Sequence, residues 1–583
     1  MPMKVAFVGA GPRAITLIDR IGAHVSALGR RPVTLTLLDP YPAGAGRVWD
    51  TTQHRALLNN TSASDTTVFC DDSITSRAAI IPGPSLHEWC STDATGHPDP
   101  WVRESAAGMH PWSKPPRALQ GEYYRWALDE VIRRYDGHVT VEQIRGEVVG
   151  LSLAGAAALH LADGRRIGAD AVILGMGFVD DEPAPGIRDL DADASAAGLR
   201  YLPPGMVDPE ALARLDPGEP ILIRGLGASF FDVLGLLSAR DGPLPRLLVA
   251  GSPSGLPKRT QPDGPGPEVE VRGLDAGKAD ALMERHRGRR TLAHSEVWSL
   301  VHADILAAFE RHAGGLDGTV LSDEDFRWEH IAAPSWRADE NPDTVVARFF
   351  AQEGVTVAHP ARSPWAAARR AVMEVRPRVL ALIHAGALAE PDGIDIDRVF
   401  LRPAGRLTSG PPAERMVLLR DWLDAGRVQL TGPGMALSVE GGRFVARASV
   451  RVGTQWTARQ AVEARQVFGT ARSSSSPLVR GLLRDGAAAA GADPDRGLLV
   501  DPRDHRLVHD DDRRPACWVV GHLARSTQRG VNQGAIPHAS DPFLQEADVV
   551  AHAVVEHLGT RSDQLPPRGG SGQPSCPSTA TAG

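Results

Sequence analysis

The sequence predicts an α/β protein built from two Rossmann-like nucleotide-binding domains, one of them split in sequence around the other. Three observations lead to this prediction. An apolar run ends in the glycine motif GAGPRA at 9–14, and a second ends in GLGAS at 225–229. The order of a strand, a meander and a buried strand ending in a glycine turn occurs at 139–177 and again at 427–471. Such a repeat is typical of proteins that bind two dinucleotides.

Composition excludes several classes of protein. The chain has 583 residues, enough for two to four domains, and its 42% hydrophobic and 23% charged residues are ordinary for a globular protein. A net charge of −8 gives no basic footprint for nucleic acid. The four cysteines form no CxxC pair, so spacing indicates neither a metal site nor a dithiol centre. With no signal peptide and no apolar run of about 20 residues, we expect a cytoplasmic protein without membrane contact.

The N-terminal glycine motif lies in the context that binds a dinucleotide. The run KVAFV before it predicts a buried parallel strand, and ITLIDRI after it has helical periodicity. Gly9 permits the tight turn, Gly11 leaves room for a pyrophosphate, and Ala14 lets the helix lie close to the strand. The helix N-terminus supplies N–H groups and the positive end of a dipole. The next strand, VTLTLL, ends in Asp39, which is placed to accept hydrogen bonds from a ribose.

The residues around this motif favour FAD as the dinucleotide. A GxGP turn is frequent in flavoproteins, and the segment after Asp39 combines a glycine-rich loop, an arginine and small polar residues that suit a long cofactor. The further FAD contacts predicted here are Pro12, Pro40, Arg47, Val48, Trp49, Asn60 and Thr61. Arg47 has two open interpretations, contact with the diphosphate or a substrate on the one hand and a surface salt bridge on the other.

The second glycine motif predicts a site for NADPH. The strand PILIR leads into it, and the following strand, RLLVA, ends in a loop with serine, lysine and arginine where NADH-specific sites carry an acid. Cations would bind a 2′-phosphate that an acid would repel. The predicted NADPH contacts are Gly225, Gly227, Ser229, Ser252, Lys258 and Arg259. The alternative, a solvated basic loop, stays open for Lys258 and Arg259.

A helical insertion and a C-terminal segment complete the predicted architecture. Residues 275–415 have amphipathic spacing and form a candidate lid or substrate domain. Arg289 and Arg290 are its candidates for holding a substrate carboxylate, with surface charge as the alternative. Near the C-terminus, Asp541 and Pro542 predict a helix start whose positive end faces the flavin pyrimidine. Asn532, or the backbone near it, is placed to hydrogen-bond the flavin ring.

These observations divide the chain into segments. The prediction is a first part of the FAD domain at 1–180, an NADPH domain at 200–440 with its helical insertion at about 275–415, a second part of the FAD domain at 441–560, and a disordered tail at 561–583.

Five stretches together resemble a known family. They are MKVAFVGAGPRAITLIDRI, PAGAGRVWD, LLNNTSASDTTVF, RGLGASFFD and GVNQ with ASDPFLQEADVVA. Over residues 3–560 the chain resembles the large bacterial FAD/NAD(P)-binding proteins, and within them it is similar to flavin N-monooxygenases that oxidise the amine of L-aspartate towards nitrosuccinate. The resemblance implies that Gly9, Gly11, Arg13 and Asp39 bind FAD and that Gly225, Gly227 and Ser229 bind NADPH. Where the family has Gly-Asp near the flavin ribityl chain, this chain has Gly521-His522.

The resemblance implies a monooxygenase that uses FAD, NADPH and O₂. A disulfide reductase needs a redox-active cysteine pair and a Baeyer–Villiger enzyme an FxGxxxHxxxW stretch, and the sequence shows neither. N-hydroxylation by a C4a-hydroperoxyflavin requires a neutral amine and a protein that positions it and excludes water. No catalytic acid or base is therefore expected from sequence. The predicted substrate is a small amine or amino acid, L-aspartate above all. An NADPH:acceptor oxidoreductase without oxygen insertion and a non-catalytic FAD/NAD(P)-binding protein stay open.

Overall fold

The computed structural model describes residues 3–241, 247–316, 321–332, 336, 340–466, 469–491, 497–509, 514–524, 534–539 and 541–564. Within these residues the strands are β1 (Met3–Val8), β2 (Val33–Asp39), β3 (Val139–Arg145), β4 (Val148–Ser152), β5 (Ala157–Leu161), β6 (Arg166–Ala169), β7 (Ala171–Leu174), β8 (Arg200–Leu202), β9 (Ile221–Arg224), β10 (Leu248–Ser252), β11 (Val428–Pro433), β12 (Ala436–Glu440), β13 (Arg443–Arg447), β14 (Trp456–Ala458), β15 (Gln460–Glu463) and β16 (Cys517–Val519).

The helices occupy the connections between these strands and most of the segment between β10 and β11. They are α1 (Pro12–Ala27), α2 (Leu86–Ser91), α3 (Pro100–Ala107), α4 (Arg117–Arg134), α5 (Pro185–Ala196), α6 (Pro209–Ala213), α7 (Ala228–Asp241), α8 (Ala276–His286), α9 (His294–Ala313), α10 (Trp328–Ala332), α11 (Pro342–Ala358), α12 (Pro364–His384), α13 (Arg402–Thr408), α14 (Ala413–Asp424), α15 (Pro477–Arg484) and α16 (Pro542–Gln564). In the described part of the chain, none of them combines the length and the apolar character that crossing a membrane requires.

Two parallel five-stranded sheets with the same internal order form the framework. The first runs β16-β7-β1-β2-β3 and the second β8-β15-β9-β10-β11. In each sheet the central strand, β1 or β9, precedes a glycine motif, and a small antiparallel meander, β4-β5-β6 or β12-β13-β14, connects an edge strand to the strand beside the centre. The strands are short and apolar on both faces because helices cover both faces of the sheet. This arrangement confirms the predicted α/β class with two Rossmann-like domains.

The first sheet is completed only by the end of the chain. Cys517 of β16 pairs with Val172 of β7, so a strand more than three hundred residues away closes the first sheet. The strand β15 lies within the stretch that the sequence analysis assigns to the second part of the FAD domain, yet it pairs with β8 and β9 in the second sheet. Its buried residues fill the position between those two strands. Pairing therefore places the change from the second sheet to the first after Glu463.

The helical segment contains a hydrophobic core of its own. Helices α8, α9 and α12 meet around Phe309, Trp365 and Val375, all of which are buried. Helix α12 begins at a Ser363 cap, whose hydroxyl accepts from the Ala366 N–H at 3.2 Å, and its apolar residues recur at helical spacing. In contrast, α11 and α14 pack against the second sheet. One part of the helical segment, α11 and α14, therefore covers the second sheet, and another part, α8, α9 and α12, forms a separate helical unit.

The two halves of the molecule touch through a buried ion pair and an apolar contact. Arg117, at the start of α4, donates from Nη2 to both carboxylate oxygens of Asp232 in α7 at 2.9 Å. Leu57 from the first domain belongs to the hydrophobic cluster of the second. Arg415 of α14 donates to the Ala56 carbonyl at 2.7 Å. The loop around 56 is therefore held from both sides.

Candidate active site

The first glycine motif forms an open turn where three strands end. The N–H of Gly9 donates to the Leu38 carbonyl at 2.8 Å, and at its φ of +98° a Cβ would lie 2.3 Å from the Gly175 carbonyl oxygen, so only glycine fits. Gly11 is the N-cap of α1 and has no side-chain cap, while Pro12 occupies the first turn and Ala14 is buried. A Cβ at Gly11 would meet no atom within 4 Å. The turn therefore has free space beside the N-terminus of α1, the positive end of the helix dipole, which suits a pyrophosphate.

Asp39 stands at the end of β2 beside this turn. Its carboxylate accepts from the Ala10 N–H at 2.7 Å and from the Tyr41 N–H at 2.8 Å. Burial raises the pKa of Asp39, and the two backbone donors oppose that rise. Two lone pairs of the carboxylate remain for a ribose. Pro40 is exposed, and its carbonyl accepts from Arg145 Nε at 3.1 Å.

The glycine-rich loop after Asp39 lies against the turn. The Gly44 N–H donates to the Ala10 carbonyl at 2.7 Å, and a Cβ at Gly46 would lie 3.2 Å from the Gly11 Cα. Arg47 forms a 2.8 Å salt bridge with Asp180, whose side chain is 62% exposed. The structure therefore shows the salt bridge that was one of the two interpretations of Arg47. The salt bridge lies at the rim of the turn, where a bound diphosphate would compete with Asp180 for the Arg47 guanidinium.

The remaining predicted FAD residues of this half line the neighbouring loops. Trp49 meets the edge of Tyr124 at 5.3 Å between ring centroids, and the carbonyl of Val48 accepts from the Gln53 amide at 3.0 Å. The Asn60 N–H donates to Asn59 Oδ1 at 3.0 Å. Thr61 follows directly and precedes Ser62, which accepts from the Lys114 ammonium at 3.2 Å. These loops therefore run from the glycine turn towards Lys114.

A buried ionic cluster, which sequence reasoning missed, joins the turn to the C-terminal segment. Arg13 is bonded to Glu546 of α16 and stacks over Phe543 at 4.3 Å. The carboxylate of Glu546 also accepts from the Gly521 N–H at 3.3 Å and lies 3.2 Å from His505 Nδ1. Burial acts to raise the pKa of Glu546, but Arg13 and His505 hold it below its usual range. No local spacing signals this cluster, because its members come from three distant segments.

Gly521 and His522 lie beside that cluster. Gly521 has φ +74°, and a Cβ there would lie 2.7 Å from Arg13 Nε. His522 is buried, its Nε2 lies 3.1 Å from the Gly469 carbonyl oxygen, and its ring meets the edge of Phe178 at 5.0 Å. Asn532 lies outside the described residues. The C-terminal segment thus reaches the first glycine turn through Gly521.

The second glycine motif repeats the geometry of the first. The Gly225 N–H donates to the Gly251 carbonyl at 2.7 Å, and at φ +128° a Cβ would lie 2.3 Å from the Ala464 carbonyl oxygen. A Cβ at Gly227 would meet no atom within 4 Å, and Ser229 is buried in the first turn of α7. This turn therefore has the same free space at a helix N-terminus.

The loop after β10 separates the two predicted cations. Ser252 is buried, and its hydroxyl accepts from the Gly255 N–H at 3.0 Å. Lys258 donates to the Ser409 hydroxyl at 2.7 Å, and burial lowers its pKa. Arg259 is fully buried and donates to the Ile331 carbonyl, Glu353 and other acceptors. Because its guanidinium already binds four protein acceptors, Arg259 serves packing of the helical segment, which corrects its assignment to a 2′-phosphate.

Three cations outside the predicted site residues lie where α12 meets the first domain. Lys114 is buried and donates to the Trp112 carbonyl at 2.7 Å and, across the domain contact, to the Pro262 carbonyl at 2.9 Å. Arg369 donates to Gln261 at 2.7 Å. Burial and the charge of Arg369 lower the pKa of Lys114 to about 8. Seven residues further along α12, burial lowers the pKa of Arg376, which Asp541 opposes.

These three residues form what we call the α12 cation cluster, Lys114, Arg369 and Arg376. Positions seven apart lie on one face of a helix, about 10 Å from each other along its axis. One end of the cluster is therefore beside Ser62 and the other beside Asp541, the cap of α16. The rarity of lysine was the one available signal for Lys114, one of four lysines in the chain.

Arg289 and Arg290 lie elsewhere in the helical segment. Both are exposed, and Arg290 has φ +53°. The Arg290 N–H donates to the Gly386 carbonyl at 3.1 Å, and the residue lines a pocket of about 240 Å³ with His294 and Asp397. None of their described contacts joins them to the α12 cation cluster, and their substrate role stays a prediction.

Fold and sites together define a flavoprotein with one domain for FAD and one for a nicotinamide dinucleotide. Residues 6–179 match a family model described as FAD-NAD(P)-binding, which confirms the predicted cofactor types. The L-aspartate N-monooxygenase (nitrosuccinate-forming) of Streptomyces cremeus is 30% identical over an alignment covering 97% of this chain and 96% of that protein. The enzyme of the same name from Streptomyces davaonensis is 27% identical, covering 96% of this chain and 98% of that protein.

Among solved structures, an ornithine hydroxylase from Pseudomonas aeruginosa aligns with 96% of this chain and 100% of its own, at 12% identity and a TM-score of 0.43. The similarity to the Streptomyces proteins, over nearly the full length of both chains, shows the family. The chain belongs to the family of these flavin-dependent N-monooxygenases. The prediction of an oxidoreductase that uses O₂ and an amine or amino acid is thereby confirmed.

Proposed function

We propose that the enzyme uses NADPH and O₂ to oxidise the amine of L-aspartate towards nitrosuccinate. Two relatives that align over nearly their whole length carry that activity in their names. The observation in this chain that carries the substrate assignment is the α12 cation cluster, which places three cations at the contact between the helical segment and the first domain. A substrate with two carboxylates suits such a surface.

FAD is proposed to bind along the carboxyl edge of the first sheet. The residues proposed to contact it are Gly9, Gly11, Pro12, Ala14, Asp39, Pro40, Arg47, Val48, Trp49, Asn60, Thr61, Gly521, His522 and Asn532. Arg13 acts as a positioning residue, because its guanidinium is bonded to Glu546 and thereby ties α1 to α16. Support comes from the open space at Gly11 and from the free acceptor capacity of Asp39. When bound, FAD supplies the activation of O₂.

NADPH is proposed to bind at the second turn, with its 2′-phosphate at the end of β10. Gly225, Gly227 and Ser229 would face the diphosphate, and Ser252 and Lys258 the 2′-phosphate. Support comes from Lys258, whose ammonium is bonded to a neutral hydroxyl of Ser409 and so keeps its positive charge uncompensated at that contact. A phosphate is the natural partner for such a charge.

The chain's own residues bind, orient and shield the substrate. Arg369 is proposed to hold one carboxylate and Arg376 the other, which points the amine towards the N-terminus of α16. Lys114, whose three N–H donors already bind protein acceptors, contributes its positive charge. Lys114 donates to the Pro262 carbonyl at 2.9 Å, so it also ties the loop after β10 to the first domain. Holding both carboxylates restricts the amine to one orientation, and closure by α12 excludes water.

The proposal is tested by turnover with matched amino acids. The FAD-loaded enzyme is incubated with NADPH, O₂ and L-aspartate, L-asparagine or L-alanine, and nitrosuccinate and H₂O₂ are measured. We expect nitrosuccinate with L-aspartate alone, since the other two lack a second carboxylate. Arg369→Ala should raise the KM for L-aspartate about 10-fold to 100-fold, because the variant loses one charge-assisted hydrogen bond to the substrate. Its FAD content should be unchanged.

The control is the next residue of the same helix. Arg370 is exposed and pairs with Glu374 at 3.2 Å, so Arg370→Ala should leave the KM unaltered. Turnover that yields only H₂O₂ with every amine contradicts the proposal and favours the NADPH:acceptor oxidoreductase. An equal KM in Arg369→Ala and Arg370→Ala contradicts the assignment of the α12 cation cluster.

A further inference from the structure

A buried glutamate organises two arginines directly beside the second glycine turn. Glu463, the last residue of β15, has a side chain with no solvent exposure. Arg224, the last residue of β9, donates from Nε to its carboxylate at 2.8 Å and also from Nη2. Arg465 donates from Nε at 2.9 Å, and the Tyr201 hydroxyl donates at 2.9 Å. Four donor groups thus saturate one carboxylate.

The equivalent positions of the first sheet are apolar. Arg224 pairs in register with Glu463, just as Val8 pairs with Leu174. In both sheets a glycine follows the central strand and would clash with the carbonyl that follows the neighbouring strand. The same backbone geometry therefore forms with two aliphatic side chains. The fold therefore does not require charge at these positions, and the ionic cluster of the second sheet has a role other than supporting the backbone.

The cluster carries a net positive charge at the edge where a ligand lies. Two arginines face one glutamate, so one positive charge is uncompensated. The side chains of Arg224 and Arg465 are 22% and 44% exposed, whereas Glu463 is hidden beneath them. In the described hydrogen bonds Arg465 uses only Nε, which leaves its two terminal nitrogens available. The carboxyl ends of β9 and β15 flank the switch point of the sheet, where dinucleotides bind.

We propose that Arg224 and Arg465, oriented by Glu463, bind the diphosphate of the nicotinamide dinucleotide. The inference rests on the proposed NADPH site at the second turn and adds to it. Because NADPH and NADH share the diphosphate, this contact controls affinity for both. Lys258, in contrast, distinguishes them through the 2′-phosphate. Glu463 is a positioning residue that acts through the two arginines.

The test compares binding constants for three nucleotides in the FAD-loaded enzyme. Dissociation constants for NADPH, NADH and 2′,5′-ADP are measured by calorimetry for the wild type, Arg465→Ala, Arg465→Lys and Lys258→Ala. We expect Arg465→Ala to weaken NADPH and NADH alike by about tenfold and to weaken 2′,5′-ADP less, because 2′,5′-ADP keeps only one of the two phosphates of the diphosphate. Arg465→Lys should recover part of the loss. Lys258→Ala should weaken NADPH and 2′,5′-ADP but not NADH.

Two controls separate this contact from a general structural effect. Arg459 precedes β15 and is exposed, and in the described hydrogen bonds its side chain donates only to the Gly198 carbonyl. Arg459→Ala should therefore bind all three nucleotides as the wild type does. Glu463→Gln should lower the affinities for the nucleotides in the same way as Arg465→Ala does. If Glu463→Gln fails to fold, the Arg465 variants by themselves test the diphosphate contact. FAD content and Tm should be equal in the Arg465 variants and the wild type.

Two results would overturn the diphosphate assignment. One is that Arg465→Ala binds NADPH and NADH as tightly as the wild type does. The other is that Arg465→Ala loses affinity for NADPH and 2′,5′-ADP only. A wild-type enzyme that binds no NADPH contradicts instead the proposed NADPH site on which the inference rests. The two failures are therefore distinguishable.

Discussion

The space that a side chain at Gly11 would occupy is left open by the protein. The φ of Gly11 is −79°, which any residue adopts, and a Cβ there would meet no atom within 4 Å. Gly9, two residues earlier, is different, because its positive φ and the nearby Gly175 carbonyl exclude every side chain. A substitution at Gly11 therefore reports on the bound cofactor and one at Gly9 on the fold.

We expect Gly11→Ala to fold with the Tm of the wild-type apoprotein and to bind FAD at least about tenfold more weakly. The methyl group occupies the space reserved for the pyrophosphate and touches nothing else. FAD titration by fluorescence quenching measures the change. Gly96→Ala is the matched control, since a Cβ at Gly96 also meets no atom within 4 Å and Gly96 is far from the motif in sequence. Equal FAD affinity in both variants would show that the pyrophosphate lies elsewhere.

Single residues also show the limit of sequence interpretation. Arg259 follows a strand of a Rossmann motif, as a 2′-phosphate ligand does, but its acceptors, Glu353 and the Ile331 carbonyl, lie on helices far along the chain. Arg13 is placed at the glycine motif by sequence, yet its partner Glu546 is more than five hundred residues away. Sequence spacing predicts where the backbone places a residue, whereas the group that its side chain binds depends on the tertiary fold.

At the scale of the element, α16 brings a buried acid to the candidate flavin site. Asp541 caps this helix by accepting from the Phe543 N–H at 2.8 Å and from the Ile536 N–H at 3.1 Å. Burial raises its pKa to about 6. The folded protein therefore binds this proton more tightly than the unfolded chain, whose aspartate pKa is about 4. The contribution of Asp541 to the free energy of unfolding falls as pH rises from about 4 through 6 and is constant above.

Replacing Asp541 with asparagine should remove this pH dependence. Asparagine still caps a helix but carries no charge. We expect Asp541→Asn to gain stability relative to the wild type between pH 4.5 and pH 8, by about 1–3 kcal/mol. Urea unfolding at both pH values measures the difference. A difference between the two proteins that does not change with pH would contradict the titration of Asp541 in this range.

Helix α12 shows how an element can be predicted while its role is not. Its apolar spacing and its Ser363-Pro364 start are readable in sequence, and its arginines are visible as charges. Arg369 and Arg370 are adjacent and identical in type, yet Arg369 meets Gln261 at the domain contact and Arg370 faces solvent. The helical period decides which of the two faces inward, but the element that lies opposite comes from elsewhere in the chain.

At the scale of the whole molecule, a largely buried ion pair joins the two nucleotide domains. It is the Arg117–Asp232 pair, with side chains 15% and 8% exposed. Burial raises the pKa of Asp232, and Arg117 opposes that rise. The relative placement of the two glycine turns depends on this contact, together with the insertion of Leu57 into the second core.

Removing Arg117 should destabilise the protein strongly. Arg117→Ala leaves a buried carboxylate without its partner, which typically costs about 3–5 kcal/mol. Arg133→Ala is the control, since Arg133 is 75% exposed and its pair with Glu130 contributes less than about 1 kcal/mol. Thermal unfolding measures the stability of both variants. The double variant that combines Arg117→Ala with Asp232→Ala should recover part of the stability that Arg117→Ala loses. Equal Tm values in the two single variants would contradict a structural role for the domain contact.

The sequence by itself determined the two glycine turns, the α/β class, the cofactor types and the family. These depend on local backbone requirements, such as a left-handed turn at Gly9 and Gly225, which a short motif records completely. Only the tertiary structure decided that β15 belongs to the second sheet, that Arg259 is buried in packing, and that Lys114 and Arg369 lie at the same domain contact. Strand pairing and ion pairing act between residues hundreds of positions apart, and their partners become neighbours only when the chain has folded.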